Sequence, residues 1–303
     1  MKINLFLANL RARNCSPKTL KDYESDLRMF EAFLKERHLR ITQVKSQHIS
    51  EYVESLGRRH NYKTGTPGLA EASIRRRLAS VSSYYDFLRR TSNGKIGNPV
   101  RLLPHVRCSR RLPEVVSEQT IEKLLEGIDV PRDKALFAMF VASGLRLSEL
   151  QQLNRDSISV QERRLDGRRT TLGIGRVVGK GRKERIFLID LPTLELVSSY
   201  LVSRGQDGID ALFISSRGKR MSKRTIEERL HHWCAQLGLS HLRVHALRHA
   251  FATRLANAGI PSLVLQELMG HESFTMTQQY FRLDESRLSQ EYFAAMELVG
   301  GER

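Results

Sequence analysis

The chain has 303 residues, 40% hydrophobic and 27% charged, with 50 Lys plus Arg against 33 Asp plus Glu and a formal net charge of +17. This is a globular composition with length for two domains of ordinary size, and its charge points to a polyanionic partner, nucleic acid foremost. Cys15, Cys108 and Cys234 have no paired spacing, which argues against a zinc ribbon or a disulfide framework and fits a reducing, cytoplasmic setting. The apolar start is broken by Arg11 and Arg13 before a signal-peptide core develops, and no run approaches the roughly 20 apolar residues of a membrane helix.

Ser16-Pro17 opens the first clear helix, with Ser16 as cap and Pro17 at the first helical position. Leu20, Tyr23, Leu27, Phe30 and Leu34 form its apolar stripe. A second helix is expected from about Ser46 to Arg59, and glycines and Pro67 mark a loop to Gly68. Ile74, Leu78, Val81, Tyr85 and Leu88 form a third stripe, interrupted by the basic triplet Arg75-Arg76-Arg77. That triplet is either a solvated face or, in a DNA-binding domain, a track for phosphates.

Between residues 92 and 113, helix breakers alternate with Arg101, Arg107, Arg110 and Arg111. This stretch reads as a linker along a DNA backbone, dividing a domain at 1–106 from one at 113–303 through residues 107–112. The second domain opens with a helix capped by Ser117, with Val116 and Ile121 placed as a hydrophobic staple. A more apolar helix, 132–143, ends at Gly144 and delivers Arg146 to the start of the next. Residues 157–189 turn to strand character, with 172–178 and 185–189 joined as a hairpin by the Gly179–Glu184 turn. Helices return at about 192–203, 222–237, 244–257 and 261–269, and Leu288, Tyr292, Phe293 and Met296 lie on one face of a tail helix. The fold class is therefore mainly α with a small antiparallel sheet in the C-terminal domain.

The chemistry gathers around the helix beginning at Val244. Val244, Leu247, Phe251 and Leu255 make its apolar face, and His245 and Arg248 stand one turn apart at the margin. Arg146 upstream, Lys180 in a glycine turn, His271 after Gly270, and Tyr280 complete a set that suits a phosphate. Guanidinium forks meet phosphate oxygens bidentately and stay charged. Taken singly, each residue has a plainer reading: Arg146 pairs with Glu149, Lys180 and Lys183 are hairpin-tip charges, and Tyr280 is a core aromatic. Gln278-Gln279 and Arg282 around the tyrosine instead suggest a polar, accessible setting. His249 reads as packing beside or supporting the site, and His231-His232-Trp233 as a surface and core pair. A zinc site from His249, His271 and Cys234 has no ligand register, so no metal is expected.

Arg146, Lys180, His245-x-x-Arg248, Gly270-His271 and Tyr280, with 23 residues from Arg248 to His271 and nine from there to Tyr280, resemble the active site of the tyrosine recombinases, the phage integrase family that includes the Xer proteins. The resemblance spans nearly the whole chain. It implies a SAM-like helical core-binding domain and a mixed α+β catalytic domain that clamp DNA. In it Arg146, Arg248 and His271 bind the scissile phosphate and Tyr280 attacks to give a 3′-phosphotyrosyl link. His245 is the candidate base and Lys180 the candidate acid. The covalent link keeps the energy of the phosphodiester, so neither ATP nor another cofactor is required. The resemblance further implies double-stranded DNA with specific core sites, a Holliday junction and a homotetrameric synapse whose tails dock into neighbouring subunits, with a second recombinase or accessory protein as a further partner. Besides the triplet, Arg107, Arg110, Arg111, Arg182 and Lys183 are expected to contact DNA.

The chain departs from the Xer pattern in Phe281-Arg282-Leu283 where a threonine-histidine pair usually follows the tyrosine, and in the basic stretch Arg163–Thr171. These departures favour integration, excision or resolution of a mobile element over Xer-type chromosome or plasmid dimer resolution. Type IB topoisomerase-like relaxation and a non-catalytic DNA-binding regulator are more distant alternatives.

Overall fold

The computed structural model describes residues 1–58, 60–61, 66–103, 116–165, 168–179, 184–281 and 293. The chain separates into two compact units, Met1–Arg111 and Leu112–Arg303. The expected linker at 107–112, with Arg107, Arg110 and Arg111, lies outside the described residues, as do Lys180, Arg182, Lys183 and the tail beyond Phe281 except Phe293.

Among the described residues, four α-helices build the first unit: α1 (Ile3–Ala12), α2 (Pro17–Glu36), α3 (Ser46–Arg58) and α4 (Glu71–Thr91). Two short strands, β1 (His60–Asn61) and β2 (Thr66–Pro67), pair within the expected loop. Ser16 caps α2 by accepting from the Thr19 amide at 3.1 Å, with Pro17 in the first turn. The core closes on Leu27, Phe30, Ile49, Tyr52, Val81, Tyr84 and Tyr85. Helix α1 precedes the first helix expected from sequence. It buries Ile3, Phe6, Leu7 and Leu10, and the Phe6 ring meets Tyr84 edge-on at 5.4 Å.

Within the basic triplet, Arg76 forks onto Asp26 at 2.6 and 2.8 Å, while Arg77 stands 3.8 Å from the same carboxylate. Asp26 is fully buried and also accepts from the Ser80 hydroxyl at 2.7 Å. Two of the three arginines therefore face a buried anion inside this unit, and Arg75, exposed like Arg76, takes part in none of these bonds.

In the second unit, α5 (Glu118–Gly127) is capped by Ser117, and Val116 and Ile121 are both buried. The next helix, α6 (Pro131–Ser143), is buried from Ala135 to Val141 and packs against α8 (Leu191–Arg204) and α10 (Val244–Asn257). Gly144 ends α6 at φ 58°, the left-handed region that favours glycine, and a Cβ there would stand 2.3 Å from the Phe251 ring. Short helix α7 (Leu147–Gln152) follows at once. The sheet runs β3 (Ile158–Leu165), β4 (Arg168–Val178), β5 (Glu184–Ile189), antiparallel throughout. Both β3 and β4 reach into the basic stretch Arg163–Thr171, and Arg164 is paired directly with Arg169 across the ribbon. Strand β5 alternates, with Arg185, Phe187 and Ile189 turned inward.

Helix α9 (Lys223–Gln236) buries Trp233 and leaves His231 and His232 exposed. Two short helices, α11 (Ser262–Met269) and α12 (Phe274–Gln278), complete the described fold. Among the described residues no helix is long and apolar enough to cross a membrane.

Candidate active site

The site forms where the C-terminal ends of α6 and α11 meet α7, β5 and α10. Arg146 is the N-cap residue of α7. Glu149, three residues on, accepts from the Arg146 amide at 2.8 Å and from its Nη1 at 2.7 Å, and Arg146 Nη2 donates to the Gly270 carbonyl at 2.6 Å. The plain pairing with Glu149 and the expected phosphate-facing role thus share one side chain, since the guanidinium keeps part of its surface open.

Arg248 lies on α10 and is 2% exposed; the structure buries it rather than leaving it at the margin. Its Nη1 donates to the Gly144 carbonyl and its Nη2 to the Met269 carbonyl. Nη1 also stands 4.0 Å from Glu149. Burial, and then the charges of Arg146 and Arg185, pull the Arg248 pKa down to about 9. A guanidinium is depressed this far only where positive charge is crowded and desolvated, a setting that favours an anion.

Two residues organise the clamp: Arg185, which sequence reasoning passed over, and Glu149, which it paired with Arg146 alone. Arg185 points inward from β5 and donates through Nη2 to Glu149 at 2.6 Å and through Nη1 to the Leu268 carbonyl. Glu149 is therefore the common acceptor for Arg146 and Arg185, with Arg248 nearby. Burial alone would raise its pKa, but the hydrogen bond and charge of Arg185, with the Arg146 bonds, outweigh this and hold the carboxyl below its ordinary range. Both residues left a signal: a glutamate at the third helical position after Arg146, and an arginine in phase with buried Phe187 and Ile189. Gly270 caps α11 at φ 57°, where a Cβ would stand 2.5 Å from the Arg185 side chain.

His271 follows that cap. Its Nδ1 bonds the buried Thr277 hydroxyl at 2.8 Å, and burial, then Arg248 and Arg146, push its pKa down to about 4. Tyr280 is 9% exposed, packed with Phe251, Ala252, Leu265 and Met269. This corrects the accessible setting that its polar neighbours suggested. Its ring lies parallel to His271 within 12°, at 6.3 Å. Burial pushes the phenol up to about 12 against the opposing pull of Arg248 and Gln279.

The imidazole that touches the phenol is His249, with Nδ1 2.5 Å from the Tyr280 hydroxyl. His245, the candidate base, stands one turn back with its ring edge-on to His249 at 4.6 Å, and it is exposed. The protein packed against it, then Arg248 and Arg146, lower its pKa. Arg146, Arg248, His271 and Tyr280 are thus gathered in one place with Glu149, Arg185 and His249. Gly179, which precedes Lys180, lines the same cleft as Arg146, Arg185, Gly270 and His271.

Comparison with known proteins bears on this arrangement. The model of the phage integrase family matches residues 114–287, and that of its N-terminal SAM-like domain matches residues 3–92. Tyrosine recombinase XerD of Shewanella oneidensis is 31% identical over 300 residues, covering 95% of this chain and 94% of that protein. Tyrosine recombinase XerC of Mannheimia succiniciproducens is 33% identical over 288 residues, covering 92% of this chain and 91% of that protein. Among solved structures, the Tn1549 transposon integrase in complex with transposon right end DNA aligns with a TM-score of 0.73 at 20% identity, covering 98% of this chain and 100% of that one. The XerH site-specific recombinase bound to difH substrate aligns at 0.69 and 21% identity, covering 96% of this chain and 83% of that one. At such identity the structures speak for the fold alone, whereas the family match and the near end-to-end relatives speak for descent. The chain belongs to the phage integrase family and is a site-specific tyrosine recombinase.

Proposed function

We propose that this enzyme cleaves and rejoins double-stranded DNA at specific core sites through Tyr280. Arg146, Arg248 and His271 hold the non-bridging oxygens of the scissile phosphate. The Tyr280 oxygen attacks phosphorus, the bond to the 5′ oxygen breaks, and a 3′-phosphotyrosyl link remains. The phenolic proton passes to His245, and Lys180 protonates the departing 5′ oxygen. A 5′-hydroxyl from a second strand reverses the step, so strands exchange through a Holliday junction without hydrolysis. Stabilisation of charge developing on the phosphate by fixed donors is the main source of rate. The observation that carries this reading is the buried, charge-crowded Arg248 beside Tyr280 and His271.

Assembly as a tetramer on paired DNA sites, with a second recombinase or accessory factor, belongs to the same proposal. For the biological substrate we favour a mobile genetic element, on the Phe281-Arg282-Leu283 departure and the extended basic β3–β4 ribbon. Xer-type dimer resolution is the second reading, favoured by relatives named XerC and XerD that match over more than nine-tenths of this chain. Covalent capture tests the chemistry. Wild type and Tyr280→Phe are expressed in a host carrying the source DNA, denatured, and the ends of protein-bound DNA sequenced. One recurrent end sequence, seen only with wild type, is the expected result. Scattered ends would point to relaxation, and an adduct that persists in Tyr280→Phe would remove Tyr280 as the nucleophile.

A further inference from the structure

The Tyr280 hydroxyl and His249 Nδ1 meet within the protein itself. The phenol ring is confined on one side by Phe251, Ala252, Leu265 and Met269 and faces His271 on another. Such packing fixes the ring but not the direction of its O–H bond, which rotates freely unless an acceptor claims it. His249 Nδ1 is at 2.5 Å, and the His245 ring, edge-on at 4.6 Å, braces that imidazole from the preceding turn of α10.

We propose that His249 is a positioning residue for strand cleavage: its Nδ1 accepts the Tyr280 hydroxyl and aims the nucleophilic oxygen. The inference rests on the reading of Tyr280 as nucleophile given above. The acceptor role requires a neutral imidazole with its proton on Nε2. Burial, then His245 and Arg248, push His249 down to about 4, so the lone pair on Nδ1 is available at neutral pH. The phenol is pushed up to about 12, so the resting proton stays on oxygen. His249 therefore holds the hydroxyl rather than ionising it, and no proton is transferred until the phosphate is seated. A lost aim of this kind costs rate without costing DNA affinity.

The test uses the full chain, wild type, His249→Phe and His249→Asn, with a duplex bearing the end sequence recovered by covalent capture. Phe keeps a ring and removes the acceptor; Asn removes the ring and sets an amide oxygen near the place of Nδ1. The expected result is adduct formation about 10- to 100-fold slower in His249→Phe, unchanged duplex affinity, and recovery of most of the rate in His249→Asn. A bridging sulfur at the 5′ position, which eases departure of the leaving group, should fail to rescue His249→Phe. Adduct formation at the wild-type rate in His249→Phe overturns the proposal, as does an equal loss in both variants or rescue by the bridging sulfur. A measurement that requires no His249 variant guards against misfolding: the imidazole nitrogen resonances of His249 should show Nδ1 as an unprotonated acceptor and shift in Tyr280→Phe. Resonances indifferent to that substitution also overturn it. Absence of any Tyr280-dependent adduct in wild type would instead fell the proposed function, and this inference with it.

Discussion

Asp133 and Glu149 are buried carboxylates of the same unit, 0% and 5% exposed, and both bind arginines. Asp133 accepts from Arg132 at 2.8 Å, Arg229 at 2.6 Å and the Trp233 indole at 2.9 Å. Its two arginines keep 20% and 28% of their side chains in water, which screens their charge. At Glu149, Arg185 and Arg248 are only 4% and 2% exposed, and Arg146, 27% exposed, adds a third guanidinium. The remaining bonds of these arginines run to the carbonyls of Gly144, Leu268, Met269 and Gly270, at the C-terminal ends of α6 and α11. Carbonyl dipoles orient a guanidinium without cancelling its unit charge. One cluster is a structural tie between α6 and α9. The other fixes three cations in place and leaves most of their charge for an anion.

The sharpest way to break this contrast is Arg248→Ala, expected to slow adduct formation about 100- to 1,000-fold, the scale for losing one transition-state donor. A variant that still cleaves within a few-fold of wild type would remove Arg248 from the clamp. Glu149→Gln and Asp133→Asn form the matched pair. Glu149→Gln leaves two buried guanidiniums without their anion and should destabilise the unit by about 3–5 kcal/mol in denaturant unfolding, whereas Asp133→Asn leaves two partly solvated ones and should cost less. Only Glu149→Gln should also slow cleavage per folded molecule. Equal activity losses would mean that Glu149 does no more than Asp133.

The smallest effects concern pH. Glu149 and Asp133 both have folded pKa values below their ordinary ones. Their contribution is present above the ordinary carboxylate range and is lost as pH falls through the folded value. His249 and His271 are depressed to about 4, so between about pH 6.5 and 4 the unfolded chain binds more protons at these sites than the folded one. Stability should therefore decline over that window, and His271→Gln should flatten the decline. An unchanged slope in that variant would show that His271 titrates normally.

Much of this was legible because backbone chemistry leaves local marks. Ser16-Pro17, Ser117 and Gly144 each announced a helix end through capping or a required left-handed φ, and the structure keeps all three. The stripe from Leu27 to Leu34 and the hairpin around Gly179 were likewise readable from period. Helix α1 was harder, since ten residues carry a short pattern and gain stability from tertiary packing of Ile3, Phe6, Leu7 and Leu10, with Phe6 against Tyr84 and Phe87. The site was legible as a set of residue types but not as a network. Glu149 and Arg185 are 36 residues apart, and only the fold reveals that they share a bond. The burial of Tyr280 was hidden for a similar reason, because its covering comes from Phe251, Leu265 and Met269 rather than from its own polar neighbours.

The end of α11 has a mechanical consequence. Leu268, Met269 and Gly270 each offer a carbonyl to a different arginine, and His271 follows directly on the way to α12 and Tyr280. Tyr280 and the three cations thus hang from one short length of backbone. A displacement of Tyr280 must either be absorbed between His271 and Phe274 or be transmitted to all three guanidiniums at once. If the second holds, withdrawing Tyr280 would also slacken the grip of all three arginines on a bound anion.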